Sequence, residues 1–326
     1  MALLTPMNLA DARRLGAAYG LDVASVQALS AGSVNSNFCI ETRAGARLFL
    51  RVYEEQDLAG ATRELATIAT LARLGVPTPA PLERLAGGRA DEHAGKPVGV
   101  HPWVDGESLC LGRVTTRVAW QLGQALARVH VCTPELGERS EGRFQLQDLL
   151  GRLDYVDRTD ARFAADTAFI RQRLERYRGE LAARERLPEG LIHGDLFRDN
   201  VLWRAGELVA LLDFESASNG LFGYDIMVCV HAWCYGDGYD LERVAALLDG
   251  YTDVRALSRP EWQALTLLGS LAALRFATTR ITDFSLRAAP GQPPVRDYRR
   301  FLSRLAALEA GVLDPIISPR IEKGSP

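Results

Sequence analysis

Apolar spacing changes its period along the chain, and that change dictates the architecture. The stretch "VASVQALSAGSVNSNFCIETRAGARLFLRVYEE", from Val23 to Glu55, reads as an antiparallel meander: a strand near Val26, a loop of small residues, a strand over "NFCIET", a turn at "RAGA" and a strand over "RLFLRVY". An amphipathic helix precedes it in "NLADARRLGAAYGL", with Asn8 as N-cap and Gly20 near its end. A second helix, "AGATRELATIATLARLG", is stopped by Gly75 and by the prolines of "VPTPAP". One more hairpin ends in "KPVGVHPWVDGES"; from "RVTTRVAWQLGQALARVH" onward helical spacing dominates, interrupted around residues 188–225. The expected fold class is therefore α+β, with a small antiparallel-sheet lobe over residues 1–102 and a larger, mostly helical lobe over residues 103–326. The cleft between such lobes is the expected site.

Composition removes several function classes. With 326 residues, 47% of them hydrophobic, the chain can bury a sizeable core. Its net charge of −3 is spread without a basic face, so no nucleic-acid partner is expected. Five scattered cysteines without a CxxC pair argue against a disulfide framework or a zinc site and for reduced thiols. "MALLTPMNLA" lacks the pattern of a signal peptide, and no apolar run approaches the roughly 20 residues that span a bilayer, so a cytoplasmic protein without a membrane partner is expected, as monomer or homodimer.

The chemistry concentrates in "HGDLFRDN", residues His193 to Asn200. "VLW" and "LVALLDF" flank "RAGE", which predicts a hairpin returning Asp213 to within a residue or two of Asn200. Oxygens from Asp195, Asn200 and Asp213 would then converge. Hard cations such as Mg²⁺ take carboxylate and amide oxygens together with phosphate oxygens, and a further carboxylate can accept a proton from an attacking hydroxyl. That pattern points to phosphoryl transfer.

"HGDLFRDN" followed by "LLDFE" resembles the catalytic loop and metal-binding Asp of the aminoglycoside phosphotransferase and choline kinase superfamily, which implies a bilobal protein-kinase-like fold using ATP and Mg²⁺. The resemblance makes Asp195 the catalytic base and Asn200 and Asp213 the metal ligands. It makes His193 and Asp225, in "GYDIM", structural supports of the loop. "LSAGSVNSNF" offers a loop whose amides can approach phosphate, with Ser33, Asn35 and Asn37 as nucleotide contacts; it is not a Walker A loop. Arg51 stands where protein kinases carry the phosphate-binding Lys, as choline kinases resemble this chain in doing, and Glu64 is its expected partner, with Glu54 and Glu55 competing. In "GVHPWVDGES", similar to the hinge that binds adenine, Pro102 cannot donate, leaving the N–H of Trp103 or Val104.

Across nearly the whole chain the likeness is to bacterial homoserine kinases of this fold, through "GSVNSNF", "HGDLFRDNVLW", "YDIMVCVHAWCYG" and "AALRFATTRITDF". Two departures stand out: Glu215 where those enzymes usually carry Tyr after Asp-Phe, and His231-Ala232 where they carry Asn-Asp. An amino-acid acceptor needs an acid for its ammonium and an Arg for its carboxylate. Glu215, with Arg275 or Arg198, are the candidates. Trp233, with Tyr235, would alternatively line a cage for a quaternary ammonium. The resemblance thus implies phosphorylation of a small hydroxyl acceptor, L-homoserine foremost; choline, ethanolamine, an amino sugar or another amino alcohol stays open, as does a nucleotide-binding pseudokinase without turnover.

Overall fold

A computed structural model describes residues 4–30, 34–136, 140–288 and 296–323. Its contacts divide the chain into two units, Met1–Ser108 with Val201–Glu215, and Leu109–Asn200 with Ser216–Pro326.

In the first unit, α1 (Leu9–Ala18) begins at a capping box: the Asn8 side chain accepts from the Asp11 N–H, and the Asp11 carboxylate accepts from the Asn8 N–H. The helix lays Ala12 and Leu15 against a sheet whose strands are β1 (Val23–Leu29), β2 (Ser36–Thr42) and β3 (Arg47–Val52). After α2 (Leu58–Arg73), capped by Asp57, strands β4 (Asp91–His93) and β5 (Lys96–Pro102) complete an antiparallel order β1-β2-β3-β5-β4. Alternation decides which side chains go inward: Phe38, Ile40, Leu48, Leu50, Val98 and Val100 form the core with Leu15 and Tyr19. The same register pairs Asn37 with Arg51, so these two polar side chains are cross-strand neighbours on one face.

The second unit opens with α3 (Thr116–Val131), α4 (Leu146–Thr159), α5 (Ala164–Ala182) and β6 (Glu189–Ile192). The predicted hairpin follows as β7 (Val201–Arg204) and β8 (Glu207–Leu211), which belong to the first unit. Ala205 and Gly206, with φ of 52° and 82°, form its turn. Back in the second unit, β9 (Ser218–Leu221) pairs antiparallel with β6 and leads into α6 (Phe222–Trp233), α7 (Leu241–Thr252), α8 (Arg259–Arg280), α9 (Arg299–Glu309) and α10 (Asp314–Lys323).

Helix α8 is buried almost all round, packing against α5, α6 and α9, which is why its sequence shows little amphipathic contrast. Helices α3 and α7 touch backbone to backbone. A Cβ on Gly123 would sit 2.1 Å from the Leu247 oxygen, and one on Gly250 2.0 Å from the Trp120 oxygen. Their close crossing sets the position of His130 on α3 and of Tyr251, the residue after Gly250. All five cysteines are free thiols, three of them buried. Among the described residues no helix is long and apolar enough to cross a membrane.

Candidate active site

The "HGD" segment leaves the end of β6 and is held by one carboxylate. Asp225, fully buried on α6, accepts the backbone N–H of His193 at 2.7 Å and of Gly194 at 2.8 Å. His130 Nε2 lies 3.1 Å from the same carboxylate, and its Nδ1 lies 2.7 Å from the Tyr251 hydroxyl. Burial would raise the Asp225 carboxyl, but the bonds from His130 and the backbone hold it below the usual range, while burial also pushes the His130 imidazole down. The pair is therefore an anion and a neutral imidazole that donates from Nε2 and accepts the Tyr251 proton at Nδ1. Gly194 has φ +73°, and a Cβ there would meet the Ser216 oxygen at 3.1 Å, so the turn requires glycine.

Asp195 follows the clamped turn with a partly exposed carboxylate. The Asn200 Nδ2 donates to the Asp195 carbonyl at 2.8 Å, which fixes the amide so that Oδ1 is the atom on offer. His193 is wholly buried, its Nδ1 accepting from the Asp195 N–H at 3.4 Å. Arg275 on α8 brings Nη1 to 3.5 Å from Asp195 Oδ1, with its guanidinium between the rings of Phe144 and Phe276, each 3.9 Å away. Trp233 is buried and donates from Nε1 to the Leu196 carbonyl, bracing the same loop; Arg198 donates to the Ala232 carbonyl.

The first unit holds a separate polar cluster. Arg51 Nη1 meets Asp213 Oδ1 at 2.9 Å and Glu64 Oε1 at 3.9 Å, and its Nε donates to Asn37 Oδ1 at 3.3 Å. Glu64 is thus near Arg51, although Asp213 is its closer carboxylate. Glu54 turns away, accepting from Thr5 and Ser36. Asn35 donates to Glu215 at 2.8 Å and accepts the Glu54 N–H, so Glu215 sits with the residues of the small-residue loop. Ser33 lies outside the described residues. The Trp103 N–H donates to the Arg47 carbonyl at 3.3 Å, extending the sheet; Val104 follows it, half-buried.

This cluster carries excess negative charge. Burial, offset by Arg51 and by a bond from Gln56 but aided by Asp213 and Glu215, pushes the Glu64 carboxyl up to about 7. Burial works against the Arg51 cation, and Asp213, Tyr53 and Glu64 more than compensate, so it stays charged. Asp213 itself adopts φ 64°, a left-handed conformation uncommon outside glycine. Surplus carboxylate of this kind suits a hard dication. Among the described residues no group of three or more His, Cys, Asp or Glu side chains is arranged to hold a metal ion. Sequence reasoning overlooked the His130–Tyr251 pair, the Asn35–Glu215 bond and Phe144; His130 alone left a signal, as a polar residue on the inner face of an amphipathic helix.

Antiparallel sheet, helical unit and clamped "HGD" turn together define the protein-kinase-like class of phosphoryl-transferring enzymes. The phosphotransferase enzyme family matches residues 25–257, and the chain belongs to that family. It is similar to a homoserine kinase of Chelativorans sp. (strain BNC1), 35% identical over 295 residues, which cover 86% of this chain and 87% of that one. A homoserine kinase of Agrobacterium fabrum is 30% identical over 311 residues, covering 94% and 95%. Among solved structures, an amicoumacin kinase in complex with AMP-PNP, Ca²⁺ and Ami shares the fold with a TM-score of 0.69 at 18% identity, covering 94% of this chain and 93% of that one.

Proposed function

We propose that this kinase transfers the γ-phosphoryl group of ATP, with Mg²⁺, to the terminal hydroxyl of L-homoserine, giving O-phospho-L-homoserine and ADP. The observation behind the acceptor is the 35% identity to a homoserine kinase over nearly the full length of both chains. Asp195 orients the hydroxyl and takes its proton as oxygen attacks the γ-phosphorus and the bond to ADP breaks. Asn200 through Oδ1 and Asp213 would hold the metal, which would supply charge neutralisation to the transferring phosphates. Val201 pairs with Leu211, so the chain enters the hairpin just after residue 200 and leaves it just before residue 213, as that role requires. Arg51, oriented by Glu64 and Asn37, steadies the α- and β-phosphates. Ser33, Asn35 and the hinge N–H of Val104, beside Trp103, complete the nucleotide contacts. Arg275 and Arg198 lie on the acceptor side, with Trp233 behind the loop.

A quaternary ammonium reading finds less support. The Tyr235 face is already covered by the Arg304 guanidinium at 4.1 Å, and the Trp233 indole is buried. ADP release from purified protein offered L-homoserine, choline, ethanolamine and an amino sugar tests the proposal. L-Homoserine should give the highest kcat/KM; preference for choline, or no acceptor-dependent release, would refute it. Asp195→Ala should lower kcat by about 10²–10⁴ with the KM for ATP little changed, whereas Asp213→Ala should also weaken Mg-nucleotide binding.

A further inference from the structure

A group of arginines gathers beside the catalytic loop, and the roles assigned so far leave most of it without a task. Arg304 on α9 is 7% exposed, lies over Tyr235 at 4.1 Å and Phe301 at 4.7 Å, and donates only to the carbonyls of His231 and Arg300. Arg280, ending α8, lies over the same Phe301 ring at 4.4 Å and donates to the Asp297 carbonyl at 3.3 Å. Arg198 donates to the Ala232 carbonyl. Among the described residues Arg198, Arg280 and Arg304 make no ion pair with a carboxylate. Burial, then the neighbouring guanidiniums of Arg296, Arg304 and Arg300, pull Arg280 down to about 10 against the opposing effect of the Asp195 carboxylate; burial, aided by Arg300 and Arg198 and opposed by Tyr239 and Tyr235, pulls Arg304 down to about 10 as well. Like charges crowded at the cost of their own ionisation, on a stacked aromatic platform, are pre-organised for an anion.

We propose that Arg198, Arg280, Arg300 and Arg304 form an anion subsite of the acceptor pocket, which takes a carboxylate at the end of the acceptor remote from the reacting hydroxyl. The inference rests on the phosphotransfer reading, since it places the acceptor by reference to Asp195. The span is right. Arg275, on the same helix, has Nη1 3.5 Å from Asp195 Oδ1. Arg280 is five residues further along α8, roughly 7–8 Å of helical rise and about 140° round the helix from Arg275, and it still lies close enough to Asp195 for that carboxylate to favour its charged form. In an extended α-amino-γ-hydroxy acid, three carbons separate hydroxyl from carboxylate, a distance of about 5 Å. Long arginine side chains cover the difference. A sugar or a choline headgroup offers no such anion and would leave four cations facing it.

The test compares L-homoserine with 3-amino-1-propanol, the same molecule without its carboxylate, in wild type, Arg280→Gln, Arg280→Lys and the exposed-site variant Arg300→Gln. Wild type should favour L-homoserine by at least tenfold in KM. Arg280→Gln should raise the KM for L-homoserine about 10- to 100-fold, the loss of a charge-assisted contact, while the KM for ATP stays put and discrimination between the two acceptors narrows. Arg280→Lys should recover part of it, and Arg300→Gln should show a smaller change of the same sign. Equal use of the two acceptors by wild type, or unchanged KM in both glutamine variants, overturns the subsite. A wider acceptor panel separates this failure from failure of the homoserine reading. Turnover of another hydroxy acid instead of homoserine sinks that reading and upholds the anion subsite; turnover confined to carboxylate-free amines or sugars overturns the subsite. If nothing is turned over, thermal stabilisation decides: protection by L-homoserine but not by 3-amino-1-propanol upholds the subsite, and its absence overturns it.

Discussion

Replacing Asp225 by Asn tests the architecture of the His193–Asp195 turn with little change of volume. The wild-type carboxylate accepts from His193 N–H at 2.7 Å, Gly194 N–H at 2.8 Å and His130 Nε2 at 3.1 Å. A carboxamide keeps one acceptor oxygen, and its NH₂ must face a donor. Hydrogen bonds to a charged acceptor are worth about 1.5–3 kcal/mol each, and an orphaned buried N–H costs about 1–3 kcal/mol. Removing the buried charge returns part of this through relieved desolvation. The net loss is about 2–4 kcal/mol, or a fall in Tm of roughly 5–15 °C for a unit of this size. Because the orphaned donor belongs to the turn that carries Asp195, kcat should drop on the order of 10²-fold, with the KM for ATP nearly unchanged. Calorimetry and steady-state kinetics on Asp225→Asn measure both. A variant that melts within about 2 °C of wild type and retains full kcat would refute the clamp.

Gly194→Ala should cost about 1–2 kcal/mol and reduce kcat, since φ +73° and the Ser216 oxygen 3.1 Å from a new Cβ both oppose it; wild-type turnover would contradict this. His101 and His231, pushed by burial to about 4 and about 3, are neutral in the fold, so both should weaken it as pH falls below about 6.5, where the unfolded chain takes up protons first. Each should cost up to about 1.4 kcal/mol per pH unit down to its folded value, and Glu64, raised to about 7, should offset one of them between about pH 7 and 4.5. Urea midpoints from pH 7.5 to 5 that do not fall would contradict it. Ala205→Asn should raise stability by about 0.5–1 kcal/mol in denaturant melts, because asparagine tolerates φ 52° better than alanine.

Local pattern revealed the sheet well. Alternating burial along Phe38–Ile40 and Leu48–Val52 and the capping residue Asn8 left little freedom, and β1 to β3 form where the spacing predicts. Ala205-Gly206 likewise announced the hairpin. The β6–β9 pair was hidden because its strands are four residues each, and its partners lie 26 or more positions apart, from Ile192 to Ser218. Helix α8 was legible as a helix but not as the central one, since burial on every side erases the contrast that periodicity detects. Asp195, Asn200 and Asp213 became candidates through the hairpin spacing of one short segment and its resemblance to a catalytic loop. Glu215 shows the limit: nothing in the order of residues says that it meets Asn35, 180 positions away. Of the arginine group only Arg198 was singled out, because α8 supplies Arg280 and α9 supplies Arg300 and Arg304 to a place that only tertiary packing defines.

The contact between α3 and α7 has a consequence for how harmful substitutions in this enzyme would be distributed. Gly123 and Gly250 touch nothing that reacts, yet a single methyl at either would wedge the helices apart and drag His130 and Tyr251 away from the aspartate they serve. Loss-of-activity alleles should therefore accumulate at this remote joint, and a screen restricted to ligand-lining positions would overlook them.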